Sequence, residues 1–136
     1  MPGPFKKVTE NFWVSPQVSE ADVQAAADAG FRTLVNNRPD GEEPGQPTAA
    51  QVEAWAKASG LGYAELPVSG SISRELVEAM GDLIGESQKP VLAFCRSGMR
   101  SISLWAMAES LAGRRVKEDL IERGEAAGYD LSRIPL

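Results

Sequence analysis

Cys95 is the only cysteine of the chain, and it stands between an apolar run and a helical pattern. The segment Val91–Phe94 is continuously apolar and predicts a strand, whereas the residues from Ser101 onward follow helical spacing. The turn between them would surround the sulfur with backbone N–H groups and the positive end of a helix dipole. Because Arg96 and Arg100 lie beside it, the sequence predicts one activated thiolate nucleophile in an anion-binding cradle.

The usual partners of a nucleophilic cysteine are missing from this chain. It contains no histidine, so a Cys–His pair and a Ser–His–Asp triad are both impossible. A zinc or iron site would need carboxylates alone, so we expect neither a metal nor a cofactor. Activation of the sulfur is therefore expected to come from fixed dipoles and arginine.

Cys95 and Arg100 are the predicted catalytic residues, and their neighbours are candidates for holding an anion. Gly98 offers a positive φ or a close backbone approach. Ser97 and Ser101 could donate to the sulfur, although capping of the next helix explains Ser101 more simply. The candidate substrate- or anion-binding residues are Arg96, Ser97, Gly98, Met99, Ser101 and Arg38. Arg96 is equally explained as a surface charge, and Arg38 as part of an Arg-Pro-Asp-Gly turn.

Strands alternate with helices along the chain, which predicts an α/β fold with a mostly parallel central sheet flanked by helices. Ser19, Thr48 and Ser73 are the predicted N-caps of three of the helices. Ligands of open α/β sheets bind beyond the carboxyl ends of the strands, so the loops at Arg38 and Cys95 should share one rim. Strands are predicted at 12–14, 31–36, 62–66 and 91–94, and helices at about 19–29, 48–59, from 73, 101–112 and 116–127.

Composition indicates one globular domain over residues 1–136, with 43% apolar and 24% charged residues. The net charge of −5 argues against nonspecific binding to nucleic acid or to an anionic membrane. The N-terminus has no long apolar stretch, so we expect no signal peptide and no transmembrane span. A lone cysteine fits a reducing compartment, and we expect a cytoplasmic protein.

Two segments carry a resemblance to known families. Residues 94–101, Phe-Cys-Arg-Ser-Gly-Met-Arg-Ser, resemble the active-site loops of rhodaneses and of cysteine-based protein tyrosine phosphatases. Residues 11–19 and 30–41 look like the N-terminal half of a compact dual-specificity phosphatase domain. Over about 8–131 the chain is thus identified as a member of the DUF442 family, the phosphatase-like domain of β-lactamase-hydrolase-like proteins. The resemblance implies a protein-tyrosine-phosphatase-like architecture, and the family is described both as phosphatase-like and as a sulfurtransferase.

Departures from the phosphatase pattern favour sulfur over phosphate as the transferred group. Four residues separate Cys95 from Arg100, as in rhodaneses, whereas the loops of tyrosine phosphatases have five. A shorter loop offers fewer N–H groups to a phosphate. Phe94 stands where phosphatases usually place His, and the segment 69–71 brings no Asp to serve as general acid. Sulfur transfer has a thiol leaving group, which tolerates that loss.

The expected reaction is therefore thiol sulfurtransfer by double displacement. Cys95 would take the outer sulfur of a persulfide or thiosulfate donor, and an external thiol or cyanide would remove it. The acceptor must be external because there is no second cysteine; the resemblance suggests glutathione as acceptor and a persulfide dioxygenase as partner. Two alternatives stay open: a tyrosine- or dual-specificity-type phosphatase with a Cys95 phosphoenzyme, and a noncatalytic anion-binding or sulfur-sensing module.

Overall fold

A five-stranded sheet lies at the centre of the protein, whose computed structural model describes residues 4–136. The strands follow the order β1-β2-β5-β3-β4; β1 is antiparallel to β2, and all other neighbours are parallel. This confirms the predicted mostly parallel sheet. The two exposed lysines of β1 were not predicted as a strand because they carry no apolar alternation. The strands are β1 (Lys6–Lys7), β2 (Phe12–Ser15), β3 (Thr33–Asn36), β4 (Gly62–Glu65) and β5 (Val91–Phe94).

Five helices flank this sheet in the described part of the chain. Ser19, Thr48 and Ser73 cap the first three through their side chains, as predicted. The fourth begins at Met99, two residues before the predicted start at Ser101, because Gly98 turns the chain straight into the helix with a φ of 96°. The helices are α1 (Glu20–Asp28), α2 (Ala49–Ala58), α3 (Arg74–Glu86), α4 (Met99–Leu111) and α5 (Lys117–Ala127).

The hydrophobic core has two parts, one on each face of the sheet. Alternate residues of a strand point to opposite faces. Val91 and Ala93 accordingly pack with α3, α4 and α5, whereas Leu92 and Phe94 pack with α1 and α2. Every residue of β5 is buried, as predicted for a central strand covered on both faces. Within residues 4–136, no helix is long and apolar enough to cross a membrane.

The four parallel strands bring their carboxyl ends to a single edge of the sheet. Ser15 and Asn36 pair in register with Phe94, and Glu65 pairs with Asn36. The loops that follow these residues therefore meet at this edge, and one of them begins with Cys95.

Candidate active site

The Cys95 sulfur lies on the floor of a tight loop between β5 and α4. The side chain of Cys95 has no exposed surface, and its Sγ accepts a hydrogen bond from the Gly98 N–H at 3.0 Å. The left-handed backbone of Gly98 aims that N–H back at the sulfur. This confirms the predicted conformational role of Gly98.

Further N–H groups of the same loop are free to bind an anion. The Met99 N–H is taken by Ser97 Oγ at 3.2 Å. No hydrogen bond within residues 4–136 takes the N–H of Arg96, Ser97, Arg100 or Ser101. The first N–H groups of a helix have no partner inside the helix, and together with its dipole they attract negative charge. The loop therefore offers free N–H groups that can bind an anion beside the Cys95 sulfur.

Arg100, in the first turn of α4, is held in place by two protein acceptors, Glu42 and the Val68 carbonyl. Its Nη1 donates to Glu42 Oε2 at 2.8 Å and to the Val68 carbonyl at 2.9 Å, while its Nη2 donates to Glu42 Oε1 at 2.8 Å. The hydrogen bond to Glu42 raises the pKa of Arg100 against the opposing effect of burial, and the charge of the nearby Cys95 raises it further. Arg100 is therefore a fixed cation beside the sulfur.

Glu42 is the carboxylate that meets Arg100. Its pKa is lowered from 4.5 to about 2, and the hydrogen bond from Arg100 is the largest cause. Burial opposes this shift, and the hydrogen bond from Arg38 adds to it. Glu42 consequently remains ionised at neutral pH. It can orient an arginine, but it has no proton to give to a leaving group.

The structure places Arg38 beneath the rim and not, as predicted, open to an anion. Its guanidinium is buried and donates only to protein acceptors. The donor–acceptor distances are 2.9 Å from Nε to Glu42 Oε1, 3.0 Å from Nη1 to Gln17 Oε1 and 3.0 Å from Nη2 to Glu43 Oε1. The turn that follows β3 wraps its own carboxylates around this arginine and closes it off from the cradle.

The remaining predicted residues divide between the rim and the interior. Arg96 is 63% exposed and reaches Glu43 Oε2 at 3.4 Å, so it lies at the rim. The Met99 side chain packs on the core, leaving only its backbone in the loop. Ser101 Oγ donates to Asn37 Oδ1 at 2.8 Å. Neither Ser97 nor Ser101 bonds the sulfur, and the N-cap of α4 is Gly98, so both roles considered for Ser101 were wrong.

Residues that support the loop from outside it were missed by the sequence analysis. The Tyr129 hydroxyl donates to the Ser97 carbonyl at 2.8 Å, and burial, followed by the charge of Cys95, raises the Tyr129 pKa. Asn37 joins Ser101 to the Leu66 carbonyl, to which its Nδ2 donates at 2.9 Å. Tyr129 follows α5 and gave no signal in the sequence. Residues 17, 37, 42 and 43 follow the carboxyl ends of β2 and β3. The rule that sites lie beyond the carboxyl ends of parallel strands, which placed Cys95, could therefore have found them as well.

Other acidic groups of the rim serve the scaffold. Asp40 Oδ1 accepts the Ala49 N–H at 2.7 Å at the start of α2, and Glu65 accepts the Tyr63 hydroxyl at 3.1 Å. In the described residues, no group of three or more acidic, histidine or cysteine side chains is placed to hold a metal ion. The groups of the rim that remain available for chemistry in this arrangement are Cys95, Arg100 and the free N–H groups.

Comparison with known proteins gives the family. Residues 4–112 match the family model described as beta-lactamase hydrolase-like protein, phosphatase-like domain. The chain belongs to this family. It is 36% identical over 126 residues to a beta-lactamase hydrolase-like protein of Agrobacterium fabrum. That match covers 92% of this chain but only 29% of the relative, so the chain spans less than a third of the relative's length.

Solved structures agree with this assignment. A candidate phosphatase from Neisseria meningitidis matches with a TM-score of 0.87 and 36% identity, over 96% of this chain and 93% of that one. P. aeruginosa TpbA in complex with pTyr matches with a TM-score of 0.71 and 15% identity, over 93% and 75% of the two chains, and shows the shared fold. The architecture is thus that of the protein-tyrosine-phosphatase-like proteins, as predicted.

The expectation of sulfurtransfer is wrong, because the family and the similar solved structures are phosphatase-like. The length of the interval from Cys95 to Arg100 therefore does not decide between sulfur and phosphate as the transferred group. The shorter loop still leaves four N–H groups without an acceptor in the described chain, together with the arginine. The persulfide or thiosulfate donor and the glutathione-type acceptor were expected only as parts of that reaction.

Proposed function

We propose that the protein is a cysteine-dependent phosphatase that hydrolyses phosphate monoesters through a Cys95 phosphoenzyme. The observation that carries this proposal is the set of donors around the Cys95 sulfur. A transferred phosphoryl group carries its charge on three equatorial oxygens, so its catalyst needs several donors converging on one centre. Four free loop N–H groups and the Arg100 guanidinium supply such a set.

Arg100 has donors left for a phosphate. A guanidinium carries five N–H groups, and three of those of Arg100 are engaged by Glu42 and Val68. The Nε–H and one Nη2–H remain, and they form a second fork that fits two phosphate oxygens. The engaged fork fixes the guanidinium plane, and the free fork is available to the substrate.

The reaction balances with the groups present and one water molecule. The Cys95 thiolate attacks phosphorus, an S–P bond forms, and the ester P–O bond breaks with the electron pair leaving on the ester oxygen. Water then attacks the phosphocysteine and the S–P bond breaks, which releases inorganic phosphate and regenerates the thiolate. The ester oxygen takes a proton from solvent and the attacking water gives one up, so the protons balance. Cys95 is fully buried at rest, so rim side chains must move aside when a substrate enters.

The preferred substrates follow from the lack of a proton donor. The loop after β4 carries Ser69, Gly70 and Ser71 and no acid, and Glu42 is ionised at neutral pH. Without general acid catalysis, rates typically fall by about 10²- to 10⁴-fold for leaving groups that need the proton. We therefore infer that aryl phosphates, phosphotyrosine among them, are hydrolysed in preference to alkyl phosphates such as phosphoserine.

A leaving-group series tests this proposal. Phosphate release should fall steeply from 4-nitrophenyl phosphate through phenyl phosphate to an alkyl phosphate, and a Cys95→Ser variant of unchanged thermal stability should release none. Phosphate release that persists in Cys95→Ser would contradict the proposal. So would oxyanion binding by a wild-type protein that turns over no aryl phosphate, because that result describes a noncatalytic binding module.

A further inference from the structure

Arg38 stands at the centre of a charge network beneath the rim. Its side chain is only 1% exposed, and each of its three nitrogens has an acceptor. A buried cation is costly unless its partners are fixed and well directed. This arginine therefore has a defined position, and that position also fixes the groups that it contacts.

Two carboxylates extend from Arg38 to the two arginines of the cysteine loop. Glu42 Oε1 accepts from Arg38 Nε at 2.9 Å and from Arg100 Nη2 at 2.8 Å. Glu43 accepts from Arg38 Nη2 at 3.0 Å with one oxygen and faces Arg96 Nη2 at 3.4 Å with the other. One buried arginine is thus linked to both loop arginines, each through a single intervening carboxylate.

We propose that Arg38 is a positioning residue that orients Arg100 through Glu42 and Arg96 through Glu43. Its effect on turnover rests on the proposed phosphatase function, whereas its effect on oxyanion binding does not. The guanidinium fork is what makes the arrangement work, because it directs separate N–H groups at Glu42, Glu43 and Gln17. A lysine ammonium at position 38 would not reproduce that geometry, so a folded Arg38→Lys protein should lose kcat as Glu42→Gln does, and wild-type kcat in Arg38→Lys would overturn the proposal.

The link from Arg38 through Glu42 to Arg100 is stronger than the link through Glu43 to Arg96. This difference predicts different kinetic effects for the two carboxylates. Glu42 binds Arg100 in a bidentate pair with both distances at 2.8 Å, which fixes the plane of the guanidinium and leaves its other fork free. Glu43 makes one longer contact of 3.4 Å with an exposed Arg96. Arg100 would contact the phosphoryl group during transfer, whereas Arg96 would meet the substrate at the rim. Glu42 should therefore affect both oxyanion binding and kcat, whereas Glu43 should affect KM alone.

Replacing each glutamate by the isosteric glutamine separates the effect of Glu42 from that of Glu43. Hydrogen bonds to charged groups contribute about 1.5–3 kcal/mol, so Glu42→Gln should lower kcat for 4-nitrophenyl phosphate about 10- to 100-fold and should also raise KM. Glu43→Gln should act mainly by raising KM. Glu53→Gln is the matched control, because Glu53 pairs with the exposed Lys57 on α2, away from the site. A Glu42→Gln protein that behaves like Glu53→Gln would overturn the proposal.

A double-mutant cycle shows whether Glu42 acts through Arg100. In an Arg100→Lys background, Glu42→Gln should have less than about a twofold further effect on kcat, because the fork that Glu42 orients is gone. Equal kcat losses in the two backgrounds would indicate a general structural role and overturn the proposal. Thermal unfolding of each variant identifies any loss that comes from misfolding.

Binding of inorganic phosphate keeps this proposal distinct from the proposed function. In Cys95→Ser protein, calorimetry should show phosphate bound at least about tenfold more weakly after Glu42→Gln and unchanged after Glu53→Gln. This pattern would support the positioning role even if the wild type hydrolysed no aryl phosphate, in which case only the phosphatase proposal fails. Equal phosphate affinity with and without Glu42→Gln, or no phosphate binding at all, would overturn the positioning role.

Discussion

Arg100 joins the sulfur, the cradle and the carboxylate network, so its replacement by lysine tests the geometry of the site at the scale of one side chain. Lysine keeps the positive charge but has no planar pairs of N–H donors. It therefore loses both the pair that binds Glu42 and the pair left for the phosphate. Loss of one preorganised donor typically costs about 10²- to 10³-fold in kcat, and we expect Arg100→Lys to fall in that range. Steady-state hydrolysis of 4-nitrophenyl phosphate measures it.

The control for this substitution is Arg114→Lys, because Arg114 pairs with Glu109 near the far end of α4. It should retain wild-type kinetics. An Arg100→Lys enzyme with wild-type kcat would mean that a single point charge suffices at the cradle and that the fork geometry has no role.

Glu42 gives the folding stability a specific dependence on pH. Its pKa is lowered from 4.5 to about 2 in the folded protein, so the ion pair stabilises the fold above about pH 4.5. This stabilisation is lost as the pH falls from about 4.5 toward 2, where the carboxyl takes up a proton in the folded state as well. In Glu42→Gln the position cannot titrate. The Tm difference between wild type and Glu42→Gln should therefore be constant near neutral pH and narrow in acid.

Thermal unfolding of the two proteins in parallel from pH 7 to pH 3 measures that difference. Glu53→Gln serves again as the control, because Glu53 forms a solvent-exposed pair, for which only a small effect on stability is expected. A Tm difference that stays constant down to pH 3 would show that Glu42 is not held as an ion pair with Arg100 and Arg38.

At the scale of elements, the turn from the cysteine loop into α4 depends on a glycine at position 98. Gly98 has a φ of +96°, and a Cβ there would collide with the Tyr129 hydroxyl. The backbone conformation alone costs a non-glycine residue about 1–3 kcal/mol. Gly98→Ala should therefore lower the free energy of unfolding by that amount or more, and it should also displace the N–H that contacts the sulfur.

Gly113→Ala is the matched control, because Gly113 has a φ of +70° with open space around its Cβ position. An alanine at position 113 also adopts an unfavourable positive φ, but its Cβ collides with no neighbouring atom. Urea denaturation should show a larger loss for Gly98→Ala than for Gly113→Ala, and only the former should abolish activity. Equal losses in the free energy of unfolding would mean that the Tyr129 side chain moves aside at no cost and does not hold the loop.

At the scale of the whole molecule, the sequence was sufficient for the architecture because local signals and tertiary packing agree. The apolar run of β5 sits at the sheet centre, and the caps at Ser19, Thr48 and Ser73 start their helices. The position of Cys95 at the carboxyl edge followed from its place directly after the apolar strand.

The contacts within the site could not be predicted in the same way. Arg38 looked like a rim residue because sequence pattern does not reveal that the following turn folds its own carboxylates onto it. Tyr129 reaches the loop from the other end of the chain, through the docking of α5. The reaction could not be predicted from loop length, because length does not give the number of free N–H donors. That number depends on which N–H groups the fold has already engaged.

The central claim is that Cys95 becomes phosphorylated during turnover. Rapid quench of wild-type protein and 4-nitrophenyl phosphate into alkaline denaturant, in which a thiol phosphate survives, followed by peptide mass spectrometry without acid, tests it most directly. We expect one phosphoryl group on the peptide that contains Cys95, formed before steady-state phosphate release and absent from Cys95→Ser. Phosphate release without any phosphocysteine at position 95, or no Cys95-dependent phosphate release, would contradict the account.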